Sequence, residues 1–266
     1  MDIASWLLYA GVGAVAGVLA GLLGVGGGLI IVPALTFVFT ALHLPNAHIM
    51  HMALGTSLAT IIFTSISSVR AHHARGAVHW DIVLRITISI ILGTLVGSWV
   101  AAQLSTGFLK GFFAAFLFYV AAQLLLDIKP KASRQMPGWG GTSAMGGVTG
   151  VVSALVGIGG GSLSVPLMLW CNVPAREAIG TSAAIGFPIA ISGALGYIIN
   201  GRAVADLPAH SWGYIYLPAL VGVALVSMLT APLGAKLAHT LPVPTVKKIF
   251  ALLLLAMGAK MVWGLF

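Results

Sequence analysis

The sequence predicts an all-α polytopic membrane protein built from two inverted repeats of about five helical segments each. Three observations carry this. Hydrophobic residues make up 59% of the 266 and charged residues only 7%, whereas a water-facing domain carries about a quarter charged. Long stretches hold no Asp, Glu, Lys or Arg at all: between Asp2 and Arg70, Lys110 and Asp127, Arg134 and Arg176, and Asp206 and Lys236. Finally, one block recurs. GLLGVGGGLIIVPAL at 21–35 aligns with ALVGIGGGSLSVPLM at 154–168, a shift of 133 residues.

The apolar runs fall at about 5–24, 28–42, 49–69, 82–105, 108–126, 140–157, 161–172, 177–199, 211–238 and 245–265. A span needs roughly 20 apolar residues. Residues 5–42, read as one helix, would measure about 57 Å against a hydrocarbon core of about 30 Å. The triple glycine therefore marks a hairpin or a re-entrant piece, and the short second and seventh segments favour the latter. The chain thus holds eight to ten segments. DIKPKASRQMPG at 127–138 is a polar, basic, Pro-containing stretch. It reads as a cytoplasmic linker between a first repeat at 1–126 and a second at 139–266.

Further landmarks align in the same order. AlaLeuGlyThrSer at 53–57 matches AlaIleGlyThrSer at 178–182, and Gly97 and Lys110 match Gly234 and Lys247. The change of shift from 133 to 125 is read as a longer connection around HisLeuPro at 43–45. A repeat with an odd number of segments places its second copy upside down, the plan of many carriers. With Lys129, Lys131 and Arg134 inside, the loops of Arg70, Arg75, Arg176, Lys247 and Lys248 are inside too. Only Lys110, Arg202 and the end near Lys260 fall outside. Both termini are then expected outside, and the first segment, with Asp2 ahead of it, reads as an uncleaved span.

The net charge of +8 is thereby a topology signal, not a nucleic-acid patch. The single cysteine, Cys171, excludes an internal disulfide. Trp6, Trp80, Trp99, Trp139, Trp170, Trp212 and Trp263 lie mostly near segment ends, as interfacial anchors do.

Gly26, Gly27 and Gly28, and Gly159, Gly160 and Gly161, interrupt helical runs, each followed by a new segment. Backbone freed inside a membrane is buried in protein or lines a watery cavity. Free N–H groups at a helix start attract anions. Two inverted copies would set two such starts face to face near the midplane, an anion cradle; close helix packing through glycine is the other reading. Thr56, Ser57, Thr181 and Ser182, with Ser162, supply hydroxyls that donate without a buried charge. Equally, such hydroxyls bond between helices or back to the helix carbonyls.

The five acidic residues Asp2, Asp81, Asp127, Glu177 and Asp206 lie at or near segment ends. Cation carriers place carboxylates mid-span, so the cavity favours an anion. His51 aligns with Arg176 across the repeats, a position for proton coupling or anion steering. His48 and His51, and the group His72, His73 and His79, lack the Cys or carboxylate partners of a metal site. Arg70, Arg75, Arg85 and Arg202 read as interfacial, with anion steering as the alternative. GlyValGlyGlyGly lacks the Lys-Ser/Thr of a phosphate loop, so no cofactor is expected. Ser153 and Ser162 are the nucleophile candidates of an intramembrane enzyme, but no mid-span His or Asp would activate them.

The paired GlyGlyGly…ValPro blocks and the two Ala-x-Gly-Thr-Ser stretches resemble the TauE/SafE family of bacterial membrane permeases, the sulfite-exporter or 4-toluene sulfonate uptake family. The likeness runs along nearly the whole chain. It implies a secondary transporter, not an enzyme, in the bacterial cytoplasmic membrane, moving sulfite, sulfoacetate or other organosulfonates. An anion channel using the same cradle is the alternative. The expected partners are that small anion and the lipid bilayer, with no nucleic acid. Homo-oligomer formation stays open.

Overall fold

Each apolar segment becomes a helix, because inside lipid a helix satisfies its own backbone. The computed structural model describes residues 3–23, 27–126, 135–240 and 243–265. Gly26 and the linker cations Lys129, Lys131 and Arg134 lie outside the described residues. In chain order the helices are α1 (Ile3–Leu23), α2 (Gly28–Ala41), α3 (Ile49–His73), α4 (Trp80–Gln103), α5 (Thr106–Leu125), α6 (Trp139–Val156), α7 (Gly161–Trp170), α8 (Ala175–Gly201), α9 (Leu217–Thr240) and α10 (Val243–Trp263).

Among the described residues, six helices are long and apolar enough to cross a membrane: α1, α3, α4, α5, α8 and α9. At 14 and 10 residues, α2 and α7 extend only about 21 and 15 Å and cannot cross by themselves. The chain is a multi-pass membrane protein, and its lipid-facing surface says so. Leu84, Ile88, Leu92 and Val96 form an exposed apolar stripe along α4, and Val221, Leu225, Leu229 and Leu233 form its counterpart along α9.

Two details differ from the sequence expectation. Residues 211–216, expected as the start of the ninth segment, form a short antiparallel ladder, β1 (Ser211–Trp212) with β2 (Ile215–Tyr216). Gly213 turns it at φ 55°. Pro218 in the first turn of α9 then sets where the helix begins. The extra residues of the first copy are also divided, not all in the connection. Helices α2 and α7 start at equivalent glycines and end in the same left-handed cap, at His43 (φ 54°) and Asn172 (φ 63°). In both, the residue after the cap donates back across the last turn, Leu44 to Phe39 and Val173 to Met168. So α2 carries one extra turn, and the connection to α3 holds the rest.

Of the six long helices the most buried are α3 and α8, which pair with each other. They run antiparallel: Gly55 lies against Tyr197, and Gly193 against Leu58. Helix α4 packs on α8 and α6, while α9 packs on α3 and α1. In both outer pairs the helices run in the same direction, with Gly93 on Gly147 and Gly97 on Val151, and Gly13 on Val223 and Gly17 on Ser227. A Cβ on Gly17 would stand 2.5 Å from the Ser227 carbonyl oxygen, and one on Gly97 2.6 Å from that of Val151. Such backbone approach is how membrane helices associate where lipid removes the hydrophobic drive. Exchanging each helix with the one five places on maps these pairs onto one another.

Candidate functional site

The two glycine runs adopt one geometry. Gly27 caps α2 at φ 76°, ψ −16°, and Gly160 caps α7 at φ 77°, ψ −8°. Only glycine takes this left-handed conformation without cost. The first intrahelical bonds are made by Ile30 to Gly27 and by Leu163 to Gly160, so the amides ahead of them have no intrahelical acceptor. Upstream of the second break, Gly157 ends α6 at φ 66°, and Ile158 donates to the Ser153 carbonyl.

The breaks meet. A Cβ on Gly28 would lie 2.8 Å from the Gly157 carbonyl oxygen and 3.0 Å from Ile158 Cα. Ser57 Oγ, from α3, donates to that same Gly157 carbonyl at 2.8 Å. Gly159 packs on Ile61 of α3 and Gly186 of α8. Gly161 opens α7, and Ser162 follows it. The central pair α3–α8 thus holds both interrupted segments, and they touch each other at the middle of the molecule.

The GlyThrSer triplets have a second duty that the sequence did not disclose. Thr56 Oγ1 accepts from the Tyr216 amide at 3.0 Å, and Thr181 Oγ1 accepts from the His79 amide at 2.9 Å. Beside them Gly55 lies against the Tyr214 carbonyl and Gly180 against the Ala77 carbonyl. Each triplet therefore clamps the loop that feeds the next long helix, α9 or α4. The absent Cβ admits the loop, and the hydroxyl satisfies an amide two residues further on. The third member points inward: Ser57 to the opposite break, and Ser182 into a 2.8 Å hydroxyl–hydroxyl bond with Ser164 of α7. Ser164 in turn donates to the Gly160 carbonyl at 3.0 Å.

His51 and Arg176 hold the same loops. His51 is 3% exposed and stacks on Tyr214, with ring centroids 4.9 Å apart and planes 26° apart. Its Nε2 lies 3.0 Å from the Ala101 carbonyl oxygen. A carbonyl only accepts, so Nε2 carries the proton and Nδ1 is the open position. Nδ1 is buried with no hydrogen-bond partner among the described residues. Arg176 is exposed and donates to the Arg75 carbonyl at 3.2 Å. Its neighbour Glu177 bonds the His79 ring, which also lies 3.8 Å from Asp81. Arg85 sits over the Trp139 ring at 5.6 Å, an interfacial arrangement.

Two hydroxyls beside the second break are unspent. Ser153, fully buried on α6, and Ser162, 9% exposed on α7, have no hydrogen-bond partner among the described residues. A Cβ on Gly160 would stand 3.5 Å from Ser153 Oγ. Sequence reasoning placed Ser162 in the cradle but weighed Ser153 only as a nucleophile.

Comparison with known proteins agrees with this architecture. A family model described as sulfite exporter TauE/SafE matches residues 9–261. A probable membrane transporter protein of Haemophilus influenzae is 38% identical over 94% of this chain and 95% of its own length. Another, from Bacillus subtilis, is 28% identical over 98% of this chain and 99% of its own. A sulfite exporter TauE/SafE family protein of Arabidopsis thaliana is 31% identical over 45% of this chain and 27% of its own. No solved structure matches significantly.

Proposed function

We propose that this chain, which belongs to the sulfite exporter TauE/SafE family, is a secondary carrier that binds a small sulfur-containing anion at the meeting of its two glycine breaks. It is a membrane transporter by family; sulfite, sulfoacetate or another organosulfonate is the cargo we assign. The observation that carries the site is the contact of the α2 start with the Gly157–Ile158 turn that leads into α7, a helix start of equal geometry with unpaired hydroxyls beside it among the described residues. Helix starts and hydroxyls hold an anion without a buried cation. Gly26 to Gly28, Gly159 to Gly161 and Ser162 form the cradle in this reading, and Ser57 and Ser182, bonded to Gly157 and Ser164, hold its walls. Thr56 and Thr181 position it by clamping the loops.

Burial of Ser57, Ser153 and Ser162 supports a closed carrier over an open pore. The antiparallel central pair, and packing that repeats on exchange of the halves, support inverted repeats at 1–126 and 139–266 joined by a cytoplasmic linker at 127–138. The contact of Arg176 with Arg75 puts two basic loops on one face. This supports a cytoplasmic position for that face in the inner membrane, with both termini outside. His51 is the proton-coupling position in this reading, because Nδ1 is the ring nitrogen left open while Nε2 holds the Ala101 carbonyl. Arg176 steers anions at the other face.

Reconstitution tests the reading. Proteoliposomes should take up labelled sulfite or methanesulfonate saturably, and Gly160→Leu should abolish flux while the protein still inserts. No saturable flux for any sulfur anion, or full flux in Gly160→Leu, overturns it. Single-channel current in place of saturation would convert the carrier to a channel.

A further inference from the structure

The two breaks share backbone geometry but not side chains, and the difference falls entirely on one side. In the second repeat the positions around the break are Thr149, Ser153, Ser162 and Ser164. Their equivalents at the shift of 133 residues in the first repeat are Ala16, Ala20, Leu29 and Ile31. Four hydroxyl residues stand against four apolar ones. Space confirms the correspondence. A Cβ on Gly160 would meet Ser153 Oγ at 3.5 Å and Thr149 Cγ2 at 3.5 Å, whereas one on Gly27 would meet Ala20 Cβ at 3.4 Å and the Ala16 carbonyl oxygen at 3.6 Å. All eight residues are at least partly buried.

Burying a hydroxyl without a partner costs free energy. Two such hydroxyls, Ser153 and Ser162, flank the start of α7, while the matching positions beside α2 carry none. We propose, resting on the carrier reading above, that the oxyanion group of the substrate is bound by the second break alone. Ser153, Ser162 and the opening amides of α7 hold it. The first break is the apolar wall facing it, through Leu29, Ile31, Ala16 and Ala20. The substrate is then an anion with one oxyanion head and an apolar end, such as a short alkanesulfonate, in preference to a compact inorganic oxyanion. The two breaks touch each other through Gly28 and Gly157.

The test uses the full chain in proteoliposomes with methanesulfonate and sulfite as probes, and thermal unfolding of the same variants in detergent. Removing a hydrogen bond to a charged group weakens binding roughly ten- to a hundredfold. Ser153→Ala and Ser162→Ala should each raise the KM for methanesulfonate by about tenfold or more. They should not lower the unfolding temperature, because the hydroxyls removed have no protein partner among the described residues. A structural role would lower it. Leu29→Ser should reduce the preference for methanesulfonate over sulfite. Saturable wild-type flux with an unchanged KM in the Ser153→Ala/Ser162→Ala double variant overturns this inference alone. So does a wild-type preference for sulfite that Leu29→Ser leaves as it is. Absence of any saturable wild-type flux overturns the carrier reading and this inference together.

Discussion

Gly180→Ala separates the loop clamp from ordinary helix packing. A Cβ on Gly180 would lie 2.1 Å from the Ala77 carbonyl oxygen, 2.9 Å from its carbonyl carbon and 3.1 Å from Ala77 Cβ. Relief requires the 74–79 loop to retreat by about 1.4 Å, since non-bonded atoms rest near 3.5 Å. The 2.9 Å bond from the His79 amide to Thr181 would then open beyond hydrogen-bonding range. Overpacking costs about 1–3 kcal/mol and the lost bond a similar amount, against a gain of about 1 kcal/mol for alanine in a helix. The expected net loss is about 3 kcal/mol by the same terms. Gly55→Ala, at the matching position, is the control. There a Cβ meets Tyr197 Cβ and the Tyr214 carbonyl at 3.0 Å, so its neighbours yield by a few tenths of an ångström. It should fall within about 1 kcal/mol of wild type. Cys171, the one cysteine in the chain, is 6% exposed and reports unfolding to a thiol-reactive dye. If Gly180→Ala melts no lower than Gly55→Ala, the clamp is not what these glycines serve.

Other expectations follow from the same geometry. Thr56→Val removes the fully buried hydroxyl that accepts from the Tyr216 amide and should cost about 1–3 kcal/mol; Thr56→Ser should recover most of it in the same dye assay. Gly17→Leu should prevent α1 from seating on α9 and yield aggregated protein on size exclusion. Gly11→Leu, where a Cβ meets nothing within 4 Å, should elute as wild type. His51→Gln keeps an amide donor for the Ala101 carbonyl but removes the proton-accepting Nδ1. Flux should then persist and lose its dependence on pH, and an unaltered pH profile would remove His51 from coupling.

Much of the helix set was legible because lipid forces an unambiguous pattern. Charge-free runs give the segments, and the recurrent GlyGlyGly…ValPro block gives the pairing of halves. Boundaries moved where local chemistry intervened, as at Gly213 and Pro218, which replace the first turns of the expected ninth segment with a hairpin. The site was half legible. The glycines announced the breaks, and the structure adds that Gly27 and Gly160 are the ones in the left-handed conformation. The GlyThrSer triplets announced polarity without direction. That the threonines face the loops at His79 and Tyr216, and the serines the centre, depends on residues 102 and 160 positions away.

The sequence by itself determined that this chain lives in a membrane, is helical, carries one Gly-rich block twice and belongs with the sulfite exporter TauE/SafE family. Those properties are sums over many residues or are copied in order, so no single contact decides them. The tertiary structure decided which groups meet. Antiparallel packing of α3 on α8 brings Gly28 against Gly157 and leaves Ser153 and Ser162 without partners among the described residues. Hydrogen-bond satisfaction is settled within about 3 Å, a scale that spacing along a chain does not resolve.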